Sequence, residues 1–211
     1  MGRDVLSRIL WGARPSIVAG FVVVAVAVTV GSLIGSVAGF FGGILDSILM
    51  RVTDVFLAFP FLILAMAIAA ALGPSLVNSI FAVSLVWWPS YARLVRGLTL
   101  SIKENLYVEA ARALGTPRLK IVFRHILPNC AGPLLAQATT SFGFAVLATT
   151  SLSFVGLGAQ PPSPEWGAMI AEGRTYIMSF WWMATFPGLA IAITVLGFSL
   201  LGDVIQENLP R

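Results

Sequence analysis

Four stretches of this chain, Pro15 to Leu45, Val55 to Ala92, Ile126 to Pro164 and Thr175 to Gly202, contain no Asp, Glu, Lys or Arg. A helix that crosses the hydrocarbon core of a bilayer takes about 20 apolar residues, with a lower limit near 17. All four stretches exceed that length. Of the 211 residues 58% are hydrophobic and only 10% are charged, whereas soluble domains carry about 25% charged residues. The bilayer is the solvent for such a chain, and its backbone polar groups have to be satisfied inside helices. We therefore expect an all-α membrane protein. The second stretch is long enough for two helices and is divided by Gly73-Pro74-Ser75. Five spans follow, at roughly 16–40, 55–72, 76–92, 132–155 and 184–202. No Pro-, Ser- or Gly-rich linker separates them, so residues 1–211 read as one transmembrane domain.

The formal charge of +4 matters less than its distribution. Seven of the thirteen basic residues, Arg93, Arg96, Lys103, Arg112, Arg118, Lys120 and Arg124, lie between the third and fourth spans. Lys and Arg concentrate on the cytoplasmic side, so residues 93–129 are expected inside, together with the Ile44 to Asp54 connection and the C-terminus. Residues 153–183 are then an extracytoplasmic segment. Arg3, Arg8 and Arg14 fall outside, against the charge bias. Either a span precedes them or the first span inserts against that bias, and we expect the former. Nothing in this pattern asks for a nucleic-acid partner.

Within the insert, Glu109 to Pro128 reads EAARALGTPRLKIVFRHILP. A first helix is expected from about Lys103 to Leu114, ended by Gly115 in the left-handed position that follows a helix. Thr116 is the expected N-cap of a second helix, with Pro117 at its first position and Pro128 ending it. Leu119, Val122, Phe123 and Ile126 follow the i, i+3, i+4, i+7 spacing of an apolar stripe, with Arg118, Lys120 and Arg124 off it.

These residues resemble the EAA loop of the membrane subunits of ABC importers, whose pattern is Glu-Ala-Ala, three residues, Gly, nine residues, Ile, one residue, Leu-Pro. Glu109, Ala110, Ala111, Gly115, Leu127 and Pro128 match it, and His125 stands where the pattern has Ile. The segment SFVGLGAQPPSPEWGAMIAEGR, Ser153 to Arg174, and the N-terminal GRDVLSR are similar to the corresponding parts of dipeptide, oligopeptide and nickel permeases of the second-subunit branch. The resemblance implies a type I ABC importer transmembrane domain for small peptides. It also implies a homologous second permease, two ABC ATPases and an extracytoplasmic substrate-binding protein as partners. Glu109, Ala110, Ala111, Gly115, Leu119, Phe123, Leu127 and Pro128 would form the ATPase-coupling surface. A nickel or metal-chelate permease shares these motifs. A channel or membrane-embedded enzyme with a regulatory loop is the alternative of another class.

The remaining features have simpler readings. Gly31, Gly35 and Gly39 form small-xxx-small steps for close helix contact, and Gly42-Gly43 suits a tight turn. Arg51 and Asp54 are placed to pair on one helix face. Trp87, Trp88, Trp166, Trp181 and Trp182 read as interfacial anchors, and Cys130 as a small buried filler. No phosphate-binding GxxxxGK[ST] loop occurs and no ionisable residue lies within the four apolar stretches. We thus expect no catalytic residue, cofactor or metal site in this chain, and expect energy from a separate ATPase. With Cys130 replaced, a cysteine at Lys120 should react with membrane-impermeant reagents only from the cytoplasmic side, and one at Ser163 only from the other. The reverse pattern would invert the assigned topology.

Overall fold

The computed structural model describes residues 4–207. Among these residues all regular structure is helical. Helix α1 (Val5–Phe41) begins where the Asp4 carboxylate caps the Leu6 and Ser7 N–H groups. It spans 37 residues, about 55 Å at 1.5 Å per residue, and so extends well beyond the bilayer core. It ends at Gly42, and α2 (Gly43–Leu57) starts at once, because Gly42 and Gly43 both take positive φ (66° and 58°). The expected tight turn is there. The remaining helices are α3 (Phe61–Leu72), α4 (Leu76–Ile102), α5 (Leu106–Ala113), α6 (Arg118–Ile121), α7 (Leu127–Phe154), α8 (Trp166–Arg174) and α9 (Trp182–Glu207), with a π-helical segment, Val122–Ile126, between α6 and α7.

The span expected at 55–72 is not one straight helix. It breaks at residues 58–60, and α2 and α3 meet at 86°. Pro60 has no N–H to continue the α2 ladder and sits at the N-cap of α3 instead. By length and composition α1, the α6–α7 rod and α9 can each cross a membrane, and the bent α2–α3 pair adds a fourth crossing if it counts as one span. The remaining expected span lies in α4. That helix is 27 residues long but includes Asn78, Trp87, Trp88, Pro89, Arg93 and Arg96.

The centre of the bundle is the contact of α1 with α4. A Cβ on Gly31 would lie 2.7 Å from the Trp88 carbonyl oxygen, and one on Gly39 would lie 2.8 Å from the Thr99 Cβ. On Gly35 it would run into the Ala92 carbonyl. Positions on both helices advance together, so the two run parallel, with backbones closer than any larger residue allows. Helix α7 packs on α1 with the opposite sense: Gly20 meets Val146, and Gly12, nearer the start of α1, meets Pro164 in the segment that follows α7. Helix α9 then packs antiparallel on α7, with Gly143 against Val195 and Gly202 against Thr140.

Polar contacts close the two ends of this bundle. At one end Arg96 holds Asp46 with two hydrogen bonds of 2.6 Å, Arg93 pairs with Asp54 at 2.7 Å, and Lys103 donates to the Gly39 carbonyl at 3.2 Å. Asp54 is therefore paired with α4, and not with Arg51 on its own helix. At the other end Ser75 N–H and Ser79 Oγ both donate to the Leu157 carbonyl. There α7 stops at Gly156 (φ 93°), whose N–H donates to Ser153 O while Leu157 N–H donates to Leu152 O. Those two bonds satisfy carbonyls that the helix end leaves without partners.

Three aromatic expectations need correction. Trp166 is buried, with its Nε1 donating to the Ile9 carbonyl at 2.9 Å. Trp88 is buried edge-on to Phe56, and Trp87 packs edge-on to Phe61. These indoles fill the bundle because helix neighbours cover them, which residue type and position along the chain do not reveal. Trp181 and Trp182 remain exposed. Cys130 is fully buried, as a filler should be.

The α1–α4 contact yields a matched pair of variants. Gly35→Ala should lower the melting temperature of the purified protein, since overpacking against backbone costs roughly 1–3 kcal/mol. Gly97→Ala on α4, where a Cβ meets nothing within 4 Å, should leave it unchanged or raise it. Equal melting temperatures for the two would remove the close contact from the description of this bundle.

Candidate functional site

The insert folds as a helix, a sharp turn and a helix that runs on into the bundle. In α5 the buried Val108 and Ala111 share one face and anchor it. The opposite face carries Leu106, Ala110 and Leu114 at i, i+4, i+8, all exposed, with Leu106 82% and Leu114 86% accessible. Glu109 is exposed in the first turn, where a carboxylate complements the helix dipole.

Gly115 takes φ 75°. Its N–H donates to Arg112 O at 2.9 Å and the Thr116 N–H donates to Ala111 O at 3.1 Å. Both bonds belong to the left-handed glycine stop, and they fix the angle at which the chain leaves α5. The expected cap of the second helix shifts by one residue. Pro117 is the N-cap of α6, accepting from the Ile121 N–H, and the Thr116 side chain caps nothing. Extended ψ at Pro117 (136°) puts it outside the helix.

Pro128 does not end the second helix. Ahead of it the ladder widens into the π-helical segment, where Leu127 N–H donates to Val122 O, five residues back. Proline lacks an N–H, and its ring presses on the carbonyl four residues earlier, so a widened turn lets the helix pass where a regular α-turn would clash. The consequence is a continuous rod from Arg118 to Phe154.

The four stripe residues separate. Val122 and Ile126 are buried together with Ile121, Val108 and Ala111 against Phe40 of α1 and Tyr91 and Val95 of α4. Leu119 and Phe123 face outward with Leu106 and Leu114. Of the expected site residues, Glu109, Ala110, Gly115, Leu119, Phe123 and Pro128 are thus exposed, Leu127 is half-buried, and Ala111 belongs to the anchoring face. Leu106 and Leu114 were missed by the motif comparison, although their i, i+4, i+8 spacing with Ala110 was readable. Beside this apolar face Arg112 stacks over Phe40 at 5.0 Å and, with Arg118, Gly115 and Thr116, lines a groove of about 430 Å³. Below it, the Arg96 hydrogen bonds hold the Asp46 carboxyl below the usual carboxylate range.

A second polar feature went unread in the sequence. Glu165 is 1% exposed; it caps α8 by accepting from Ala168 N–H at 2.9 Å. Ser16 of α1 donates to it at 3.3 Å and accepts from Trp166 N–H at 3.3 Å. Burial raises the Glu165 carboxyl above its ordinary range, and the Ala168 N–H works against that shift. It lies just past an uncharged stretch, and only the packing of α1 against the start of α8 buries it.

Comparison with known proteins agrees with this arrangement. Residues 31–211 match the family "Binding-protein-dependent transport system inner membrane component". The chain is 49% identical to the probable D,D-dipeptide transport system permease protein DdpC of Escherichia coli (strain K12), over 99% of this chain and 70% of that one. It is 44% identical to the dipeptide transport system permease protein DppC of Alkalihalophilus pseudofirmus, over 99% and 68% respectively. Among solved structures, a subunit of the MetNI methionine ABC transporter in an inward-facing conformation superposes with a TM-score of 0.78 at 21% identity, covering 100% of both chains. An amino acid ABC transporter crystallised with histidines gives 0.70 at 17% identity, over 99% of this chain and 100% of the other. The fold is that of a type I ABC importer membrane subunit, and the chain belongs to the family of inner membrane components of binding-protein-dependent transport systems.

Proposed function

We propose that this chain is one of two homologous permease subunits of an ATP-driven importer for small peptides. In this reading residues 93–129 face the cytoplasm, residues 153–183 face the opposite side, two ATPases dock on the insert, and an extracytoplasmic binding protein delivers the cargo. The observation that carries it is the insert's exposed apolar face. Leu106, Leu114, Leu119 and Phe123 stand outward on short helices that are otherwise charged and anchored by their other side. A helix presented in this way fits a groove on a partner. Peptide cargo is supported by the relatives, which include permeases of dipeptide and di/tripeptide transport systems.

The geometry supplies a route for the coupling. ATPase closure would push α5 and α6 together, because the Gly115 turn joins them rigidly. The push passes into α7 directly, since α6, the π-helical segment and α7 form one rod. It passes into α1 and α4 through Val108, Ile121 and Ile126 packed on Phe40, Tyr91 and Val95. ATP binding then shifts the pair of subunits between inward-open and outward-open states. Glu109, Ala110, Gly115, Leu119 and Phe123 form the contact. Ala111, Leu127 and Pro128 shape its support. Among the described residues no group of three or more His, Cys, Asp or Glu gathers, so no observation favours the metal-chelate reading over the peptide one.

Gly115→Val forces a β-branched residue into φ 75°, a strain of roughly 1–2 kcal/mol for an L-residue. Uptake by the assembled transporter should fall by about tenfold, the equivalent of 1.4 kcal/mol, while the subunit still inserts and assembles. Wild-type uptake with normal expression would remove Gly115 from the coupling role. In liposomes the chain alone should move no dipeptide under a proton gradient. With the second permease, the ATPases and the binding protein it should support uptake that requires ATP on the insert side. Nucleotide-independent movement by the chain alone would replace the importer reading with that of a channel or secondary transporter.

A further inference from the structure

The groove of about 430 Å³ beside the insert has Phe40 and Phe41, at the end of α1, on one wall and Arg112, Thr116 and Arg118 on the other. Both arginines are exposed, and among the described residues neither forms a salt bridge. No Asp or Glu lines the groove, and the Thr116 side chain caps nothing. Donors for an anion are therefore present and reachable. They do not belong to the outward apolar face. Successive residues of an α-helix turn by about 100°, so Arg112 stands about 160° round α5 from the exposed Ala110 and about 40° from the buried Val108. Arg118 stands about 60° from the buried Ile121 of α6. Both lie on the side of the insert that turns toward α1 and the bundle. The groove also has a defined height. Arg14 is exposed near the other end of α1, and an exposed charge keeps out of hydrocarbon. From Arg14 to Phe41 the helix rises about 40 Å, the thickness of a bilayer with both headgroup layers. Phe41 thus emerges at the level of the opposite headgroups. From there Phe41, Leu33 and Val26 form an exposed apolar track back along α1.

We propose that this groove seats the headgroup of an anionic phospholipid, its phosphate between Arg112 and Arg118 and its acyl chains along the Phe41 track. The site goes beyond the importer reading and does not depend on the cargo. A phosphodiester offers two unesterified oxygens that share one negative charge, a match for two guanidinium groups. The Thr116 hydroxyl donates to an ester or headgroup oxygen. Basic side chains at a membrane surface attract anionic lipids in general, and here the lining narrows the choice. No carboxylate is available to receive a headgroup ammonium, and the Phe40 ring that a choline would use already carries the Arg112 guanidinium at 5.0 Å. A headgroup without positive charge, such as glycerol, fits better. The volume suits it, since small-molecule pockets run from about 300 to 1,000 Å³. A docked ATPase meets Leu106, Leu114, Leu119 and Phe123 on the other side of the insert, so its carboxylates are poorly placed to fill the groove. The seated lipid ties the α5–α6 turn to the end of α1.

The test is a titration of the assembled transporter, ATPases included, with phosphatidylglycerol and with phosphatidylcholine of matched acyl chains, followed by native mass spectrometry. Phosphatidylglycerol should bind about tenfold more tightly than phosphatidylcholine. Arg118→Gln, which removes an exposed side chain without a partner, should weaken phosphatidylglycerol about fivefold and leave phosphatidylcholine unchanged, the effect of one basic residue near an anionic surface. Arg112→Gln should do the same. Lys120→Gln, about 160° round α6 from Arg118, should change neither. The headgroup without chains, glycerophosphoglycerol, should not displace the lipid at equal concentration. Equal wild-type affinity for the two lipids would overturn the proposal, and that comparison stands even if a variant fails to assemble. An equal loss in Lys120→Gln would also overturn it, by reducing the effect to diffuse attraction to the basic insert. Displacement by the bare headgroup would leave a phosphate site in place of a lipid site. Selectivity that appears only after the ATPases are removed would put an ATPase carboxylate in the groove and overturn the lipid as its occupant.

Discussion

The close parallel contact of α1 and α4 is the constraint on which the rest of the bundle depends. In a bilayer the apolar effect gives helices little reason to associate, because lipid tails are as apolar as leucine, so association relies on backbone approach and dispersion. Gly31, Gly35 and Gly39 permit that approach along three successive steps. Once α4 is seated, its end is fixed relative to α1, and Arg96 and Lys103 reach Asp46 and the Gly39 carbonyl. The hydrogen bonds at the insert end are thus consequences of the glycine seam. They add direction and register to a contact that packing has already made.

The insert stands on the same platform. Phe40, Tyr91 and Val95 come from the two helices of the seam, and together they receive Val108, Ile121, Val122 and Ile126. A short helix such as α5 is too short to hold its shape alone in water, so its anchoring face decides whether it exists. Its other face is then free to carry exposed leucines. This division of labour explains why an apolar residue of the insert cannot be assigned to core or contact by hydrophobicity alone.

The opposite end is built differently. Where the chain leaves α7, buried polar groups stand beside the apolar packing of Leu152, Trp166 and Met169: Glu165 with Ser16, the Trp166 indole with the Ile9 carbonyl, and Ser75 and Ser79 with Leu157. Each partner pair is far apart in sequence. Charge at this end is also paired across helices, as with Arg8 and Glu172. One end therefore carries an exposed apolar face on a basic ground and the other a partly buried ion pair beside a cavity.

Much of this was legible in the sequence. The uncharged stretches determine that the chain lives in a bilayer, because no other solvent tolerates them, and glycine spacing determines which face of α1 can approach a neighbour. The Gly115 stop was readable because a left-handed position after a helix needs a residue without a Cβ. Other features were not local properties. The passage of Pro128 depended on a π-helical turn formed upstream, the break at Pro60 on how α2 meets α3, and the burial of Trp88, Trp166 and Glu165 on helices that come from elsewhere in the chain. Leu119 and Val122 share one stripe in the sequence, yet one is exposed and the other buried. Periodicity states which residues share a face. Only the tertiary structure decides how much of that face a neighbour covers, since coverage depends on the shape and position of a second surface that the stripe itself does not contain.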